Sequence, residues 1–287
     1  MLHSSEVHRQ IRAEWEAAAP EWGRQDLWSQ VERSAQSLND HLVDLARLGP
    51  GGRVLDVGTG IGEPAVTAAR RVGPTGYVLG VDLAEGMILE GRKRVERLGL
   101  DGIVELRHGN AESLELADAT FDAVVSRWAL MLAGDFQATL AGLGRCLTPG
   151  GRLAVALWGH VERVPFIRLA LEAALDLLGR RPPEDGPQHF WTRGCQTLER
   201  LARNAGFTDV RVEALDVAFE FPSPERYADF ISRMAGPVKV LTDRQEPRFR
   251  KRLLAGIAQR SEPFRQLDGS VRLPAENLIL HGMRPPA

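Results

Sequence analysis

The chain has 287 residues, 44% hydrophobic and 26% charged, with a formal net charge of −2 and a pI near 6.4. These values suit a globular protein with a substantial core, as one large domain or a domain with a cap, and give no support to a nucleic-acid-binding surface. Cys146 and Cys195 form neither a disulfide framework nor a metal-ligand cluster, and neither a signal peptide nor a bilayer-length apolar run is present, so a cytoplasmic protein without membrane insertion is expected.

Residues 1–48 read as an amphipathic helical arm, with Trp15 and Trp22 on either side of a break at Pro20 and a helix from Ser37 to Leu48. The tryptophans either pack the arm on the main domain or wall a ligand cleft. Next comes a short apolar strand, Val54-Leu55-Asp56-Val57, then glycines at alternating positions, Gly58, Gly60 and Gly62, and a helix from Glu63 to Val72. Glycines at a strand-to-helix turn allow positive φ and let a ligand approach bare main chain. Asp56 is an acid in an apolar strand, costly unless it meets a cation or hydrogen-bond donors.

The alternation continues with strand Gly76–Asp82, helix Leu83–Leu98, strand Ile103–His108, strand Phe121–Ser126, helix Gly134–Leu147 and strand Arg152–Trp158. Strand and helix in this order demand right-handed crossovers and a parallel sheet whose ligands sit at the carboxyl ends of the strands. The expected fold is α/β, a Rossmann-like doubly wound, mostly parallel seven-stranded sheet with a helical arm and cap insertions. Beyond Trp158 the pattern gives helices Val164–Leu178 and Gln196–Asn204, strand Phe207–Leu215, helical periodicity at Tyr227–Met234 and Phe249–Arg260, and strand Asn277–Met283. The segments are therefore arm 1–48, core 49–158, cap 159–195, core 196–215, cap 216–274 and last strand 275–287; the second insertion is too long for a tight hairpin.

The glycine turn fails the dinucleotide fingerprint, because Glu63 occupies the third-glycine slot, and it lacks the Lys-Ser/Thr pair of a phosphate loop. Acids before and after the turn would repel a pyrophosphate and suit an amine or a sulfonium. The stretch Leu55-Asp-Val-Gly-Thr-Gly-Ile-Gly62 resembles motif I of class I S-adenosylmethionine-dependent methyltransferases. Phe121-Asp-Ala-Val-Val125 matches the family's motif IV, and Leu147-Thr-Pro-Gly-Gly-Arg-Leu153 its entry into the fifth strand. The motifs look most like the ubiquinone/menaquinone-biosynthesis type, from which Glu63-Pro64 and the long cap depart, so a quinone precursor is one acceptor option beside natural-product phenols, amines and sterol-like lipids, with O-, C- or N-methylation open.

The resemblance implies S-adenosylmethionine as cofactor, S-adenosylhomocysteine as product and an antiparallel last strand. It places Asp56, Gly58, Thr59 and Gly60 at the cofactor, Asp82 on its ribose, and Leu83 and Met87 near the adenine. Asn110-Ala111 stands where the family usually has Asp-Ala; the amide oxygen still accepts a hydrogen bond, without the charge. Arg127 is assigned to the methionine carboxylate or an acidic acceptor, against a plain salt bridge to Glu63 or Asp82. Ser126-Arg127-Trp128-Ala129 in place of Asn-Pro-Pro-Tyr argues against the amino-methylating nucleic-acid branch.

Methyl transfer from a sulfonium is an in-line displacement that mainly needs alignment and exclusion of water, with a base only where the acceptor must lose a proton. His160 and His189 are the candidate bases, His108 lies toward the adenine side, and His3, His8, His41 and His281 read as surface residues. Trp15, Trp22, Trp128, Trp158 and Trp191, with Phe190, are candidates to wall a pocket for a small apolar or aromatic acceptor. A homodimer is compatible with the sequence. Two other functions compete: a non-catalytic S-adenosylmethionine-binding regulator, and an NAD-dependent oxidoreductase, which Glu63 disfavours.

Overall fold

The computed structural model describes residues 4–179, 194–243 and 245–286. Helices α1 (Ser4–Trp22) and α2 (Gln25–Leu45) form the arm. Strands β1 (Arg53–Val57), β2 (Tyr77–Asp82), β3 (Val104–His108), β4 (Phe121–Arg127) and β5 (Leu147–Trp158) alternate with helices α3 (Ala65–Val72), α4 (Glu85–Arg97) and α5 (Phe136–Cys146). Then follow α6 (Pro165–Leu177), α7 (Cys195–Asn204), β6 (Thr208–Phe221), α8 (Pro224–Met234), α9 (Gly236–Asp243), α10 (Pro247–Ser261) and β7 (Val271–Met283).

The sheet has the order β3-β2-β1-β4-β5-β7-β6. The first five strands run parallel, with Leu55 beside Leu79 and Val124, while β7 lies antiparallel between β5 and β6, pairing Val155 with Leu280 and Leu215 with Asn277. Strand order reverses between β1 and β4, so their carboxyl ends diverge there and leave a crevice. Alternate strand residues feed two cores on opposite faces: Val54, Ala154 and Ala156 join one with α2, α3 and the cap, while Leu55, Val57 and Val155 join the other with α5 and α7. Among the described residues, no helix is long and apolar enough to cross a membrane.

Three boundaries differ from expectation. Pro20 does not break the arm: α1 runs through it to Trp22, and the chain turns at Gly23 and Arg24. The second helix is continuous from Gln25, burying Trp28, Val31, Ala35, Leu38 and Leu42 at helical spacing. The last hairpin is longer than read, so the second insertion spans 222–270, not 216–274. Val217, Phe219 and Phe221 alternate with Asp216, Ala218 and Glu220, and Val271, Leu273 and Ala275 face the same core, which is a strand pattern. Pro274 is tolerated because β5 stops at the level of Asn277, leaving that edge of β7 unpaired.

Candidate active site

The carboxyl end of β1 is held as a rigid loop. The amides of Gly58 and Thr59 donate to Val81 O (2.8 and 3.0 Å), and the Gly60 amide donates to Asp82 Oδ2 (2.8 Å). Gly58 has φ +70°, and a Cβ there would stand 2.0 Å from Ala129 Cβ, so no side chain fits. Gly60 has φ +56°, and its Cβ would meet nothing within 4 Å, which leaves its main chain bare toward open space. Asp56 stands behind this loop and does not line the cleft: its Oδ2 accepts from Thr59 Oγ1 (2.6 Å) and the Ala65 amide (2.8 Å), and its Oδ1 is buried without a partner. Burial pushes this carboxyl up to about 7, against the pull of the two donors.

A buried polar network continues from there. Glu63 pairs with Arg94 at 3.0 Å and accepts from Thr67 Oγ1 at 2.7 Å. Asn39, fully buried on α2, donates to Glu63 (3.3 Å) and accepts from Arg127 Nη1 (2.7 Å). Arg127 thus reaches Glu63 through an amide; the direct salt bridge to Glu63 or Asp82 is not formed. Instead its guanidinium lies 4.6 Å from the Trp128 ring centroid and 5.9 Å from that of Trp28. Burial lowers its pKa to about 10, with Glu63 and Asp56 opposing the shift, and it stays charged at neutral pH.

Gly58, Thr59, Gly60, Asp82, Leu83, Met87, Asn110, Ala111 and Arg127 line one cleft of about 1010 Å³ at the β1/β4 switch point. Asp82 accepts from Gly60 and, through Oδ1, from Ala84 (2.9 Å), and burial raises its pKa. It is not the N-cap of α4, which begins after Ala84. Asn110 Oδ1 already accepts from the Glu112 amide at 3.0 Å. Trp28 lines the cleft with an indole N–H that is buried and unpartnered.

The arm closes the cleft from above. Glu16 caps α4 by accepting from the Glu85 and Gly86 amides (2.7 and 2.9 Å), where a carboxylate meets the positive end of the helix. Trp22 Nε1 donates to Met234 O (2.8 Å), and Glu21 pairs with Arg233. His8, read from the sequence as a surface residue, lines the cleft and pairs with Glu112, which also accepts from the Gly134 amide (2.9 Å). Three residues apart from Ile11, which also lines the cleft, it lies on the same helical face; that spacing was the available signal.

Trp15, Trp22, Trp128 and Leu132 line both this cleft and a second cavity of about 870 Å³. The second is an aromatic chamber between α1, α6, α8, α9 and the ends of β5 and β6, and no residue described in its lining is titratable. Its floor is a stack: Trp128 on Trp158 (centroids 4.1 Å, 14°) and Phe166 on Phe219 (3.7 Å, 8°). His160 lines neither cavity. It is exposed just past β5, its amide donating to Glu276 and its Nδ1 accepting from the Glu162 amide; the chain has turned away from the cleft there. His108 is exposed beside Leu83 O. His189, Phe190 and Trp191 lie outside the described residues.

A methyltransferase-domain family model matches residues 48–176. The demethylmenaquinone methyltransferase of Symbiobacterium thermophilum is 41% identical over 208 residues, 66% of this chain and 82% of that protein. The ubiquinone/menaquinone biosynthesis C-methyltransferase UbiE of Klebsiella pneumoniae is 36% identical over 179 residues, 58% of this chain and 71% of that protein. The crystal structure of YcgJ from Bacillus subtilis shares the fold, with a TM-score of 0.59 at 16% identity, covering 87% of this chain and 98% of that one. With the motifs on the strand ends that form the cleft, the chain belongs to the class I S-adenosylmethionine-dependent methyltransferases, near the ubiquinone/menaquinone-biosynthesis type, and S-adenosylmethionine is its cofactor.

Proposed function

We propose that this enzyme methylates a small apolar, aromatic acceptor held in the chamber, with a naphthoquinol of the demethylmenaquinone kind as its leading candidate. The observation that carries the reading is the chamber itself: stacked aromatic walls, no titratable residue among those described, and a place against the cleft, with which it shares Trp15, Trp22 and Trp128 as lining. The names of the relatives at 41% and 36% identity support the same acceptor class.

When bound, S-adenosylmethionine supplies a methyl group activated by its sulfonium charge. The cleft fits such a group: bare main chain at Gly60, the half-buried Asp82 carboxyl at the end of β2, an unpartnered Trp28 N–H and a buried guanidinium with no direct carboxylate partner among the described residues. In this reading Asp82 holds the ribose, Leu83, Met87 and Ala111 pack the adenine with Asn110 at its edge, and Arg127 takes the methionine carboxylate. Gly58, Thr59 and Gly60 give the close main-chain approach, and Asp56 braces them from behind. The arm and cap exclude water, and the chamber orients the acceptor toward the cleft. With no base in the described chamber wall, the acceptor's own hydroxyl substituents make its ring nucleophilic.

The test is S-adenosylhomocysteine formation with demethylmenaquinol, a short-chain naphthoquinol and phosphoethanolamine. Turnover is expected with the two quinols and not with the charged amine. Turnover of phosphoethanolamine alone would overturn the acceptor assignment, and tight S-adenosylmethionine binding with no turnover of any acceptor would favour a regulator.

A further inference from the structure

Four non-glycine residues described in the structure adopt left-handed backbone conformations: Arg47, Ala119, Trp128 and Asp209. Three are exposed; Trp128 (φ +59°) alone lines a cavity, and it lines both. A bulky aromatic in that region is an outlier that persists only where its surroundings over-determine it. Here they do. The Trp128 amide donates to Ala156 O (2.8 Å), its ring stacks on Trp158, and the following residue, Ala129, is pressed against Gly58.

The remaining restraint comes from the far strand of the sheet. Trp128 Nε1 donates to Asn277 Oδ1 at 2.6 Å. Asn277 is fully buried in β7, in register beside Trp158, and its Nδ2 donates to Ala275 O at 3.0 Å, which fixes which way the amide faces. Both ends of this amide are therefore committed, and the indole N–H of the half-buried Trp128 has its acceptor within the protein.

We infer that Asn277 is a positioning residue for methyl transfer: it locks the Trp128 indole as the shared wall between cofactor cleft and aromatic chamber, and so sets how the acceptor ring meets the methyl group. The inference rests on the acceptor reading above. Folding alone is an insufficient account, because an apolar residue in place of Asn277 would need no partner, whereas this amide answers the one polar atom of the wall.

The experiment compares Asn277→Leu, Trp128→Phe and the double variant, reading S-adenosylhomocysteine affinity by calorimetry and kcat and KM for the quinol acceptor. Each single change is expected to lower kcat/KM roughly tenfold or more, while cofactor affinity stays within about threefold, since small misplacements cost rate steeply. The double variant should be no worse than either single one. Asn277→Asp should recover activity at acidic pH, where a protonated carboxyl both accepts from the indole and donates to Ala275 O, and lose it as pH rises. Wild-type kcat/KM in Asn277→Leu, or losses that multiply in the double variant, would overturn the proposal. If Asn277→Leu does not fold, Trp128→Phe carries the test, because it removes the N–H and keeps a ring. If no acceptor turns over, the acceptor reading fails by itself, and hydrogen exchange of the Trp128 indole decides the rest: slow in the wild type and fast in Asn277→Leu if the lock exists, equal in both if it does not.

Discussion

The cleft and the chamber are neighbours built on opposite plans. The strand-end side of the cleft is made of main chain and short polar side chains, tied together and braced from behind by hydrogen bonds: Gly58 to Val81, Gly60 to Asp82, Thr59 to Asp56. The chamber has almost no hydrogen bonds of its own and is assembled from helices far apart in sequence, α1, α6, α8 and α9, against two strand ends. A hydrogen-bonded loop admits one geometry and so suits an invariant cofactor, whereas apolar walls discriminate by volume and shape. Under the proposed acceptor site, cofactor and acceptor can therefore be tuned separately, with Trp128 as the wall they share.

That contrast can be broken or sharpened by experiment. The strongest challenge is Arg94→Met, which leaves Glu63 buried without its cation; urea unfolding should show a loss of about 3–5 kcal/mol, and a loss near zero would mean the pair is not closed in solution. Gly58→Ala drives a methyl into Ala129 at a left-handed position, for a cost of about 2–4 kcal/mol; the cleft should lose S-adenosylmethionine in calorimetry, and unchanged affinity would show the loop to be soft.

Asp56 gives a pH signature. Its carboxyl sits at about 7 in the fold against an ordinary 3.8, so between those values the native state holds a proton that the unfolded chain has released. This contribution should fall as pH rises from 4 to 7, by up to about 1.4 kcal/mol per pH unit, and level off above. Asp56→Asn should flatten that slope in denaturation curves, and an unaltered slope would place the titration elsewhere. Phe230→Leu reshapes the chamber alone and should lower kcat/KM for the quinol about fivefold, near 1 kcal/mol, with cofactor affinity untouched; a matching loss of cofactor would end the separation. Glu16→Gln weakens the α4 cap and should cost the least, about 0.5–1 kcal/mol in thermal melts.

Legibility in the sequence followed the same divide. The order of the parallel strands, the glycine turn and the residues from Gly58 to Arg127 could be read because each depends on its near neighbours: an apolar run, a turn residue, an acid at a strand end. The cap limits were missed at Val217–Phe221 and Val271–Ala275, where a period of two was hidden beside long helical stretches. His8 and Glu112 were missed because they meet from distant helical turns, 104 residues apart. His160 looked suitable by its place after β5, yet one turn carries it outside. Asn277 could not be found at all from one sequence, since its meaning lies in a contact with Trp128 from across the sheet.

Helix α1 borders both cavities at once, and Glu16 on α4, Glu21 on Arg233 and Trp22 on Met234 fasten its C-terminal part. One helix, fastened by polar contacts and faced inward with tryptophan, thus bounds both spaces, and a substitution that loosens it bears on cleft and chamber together.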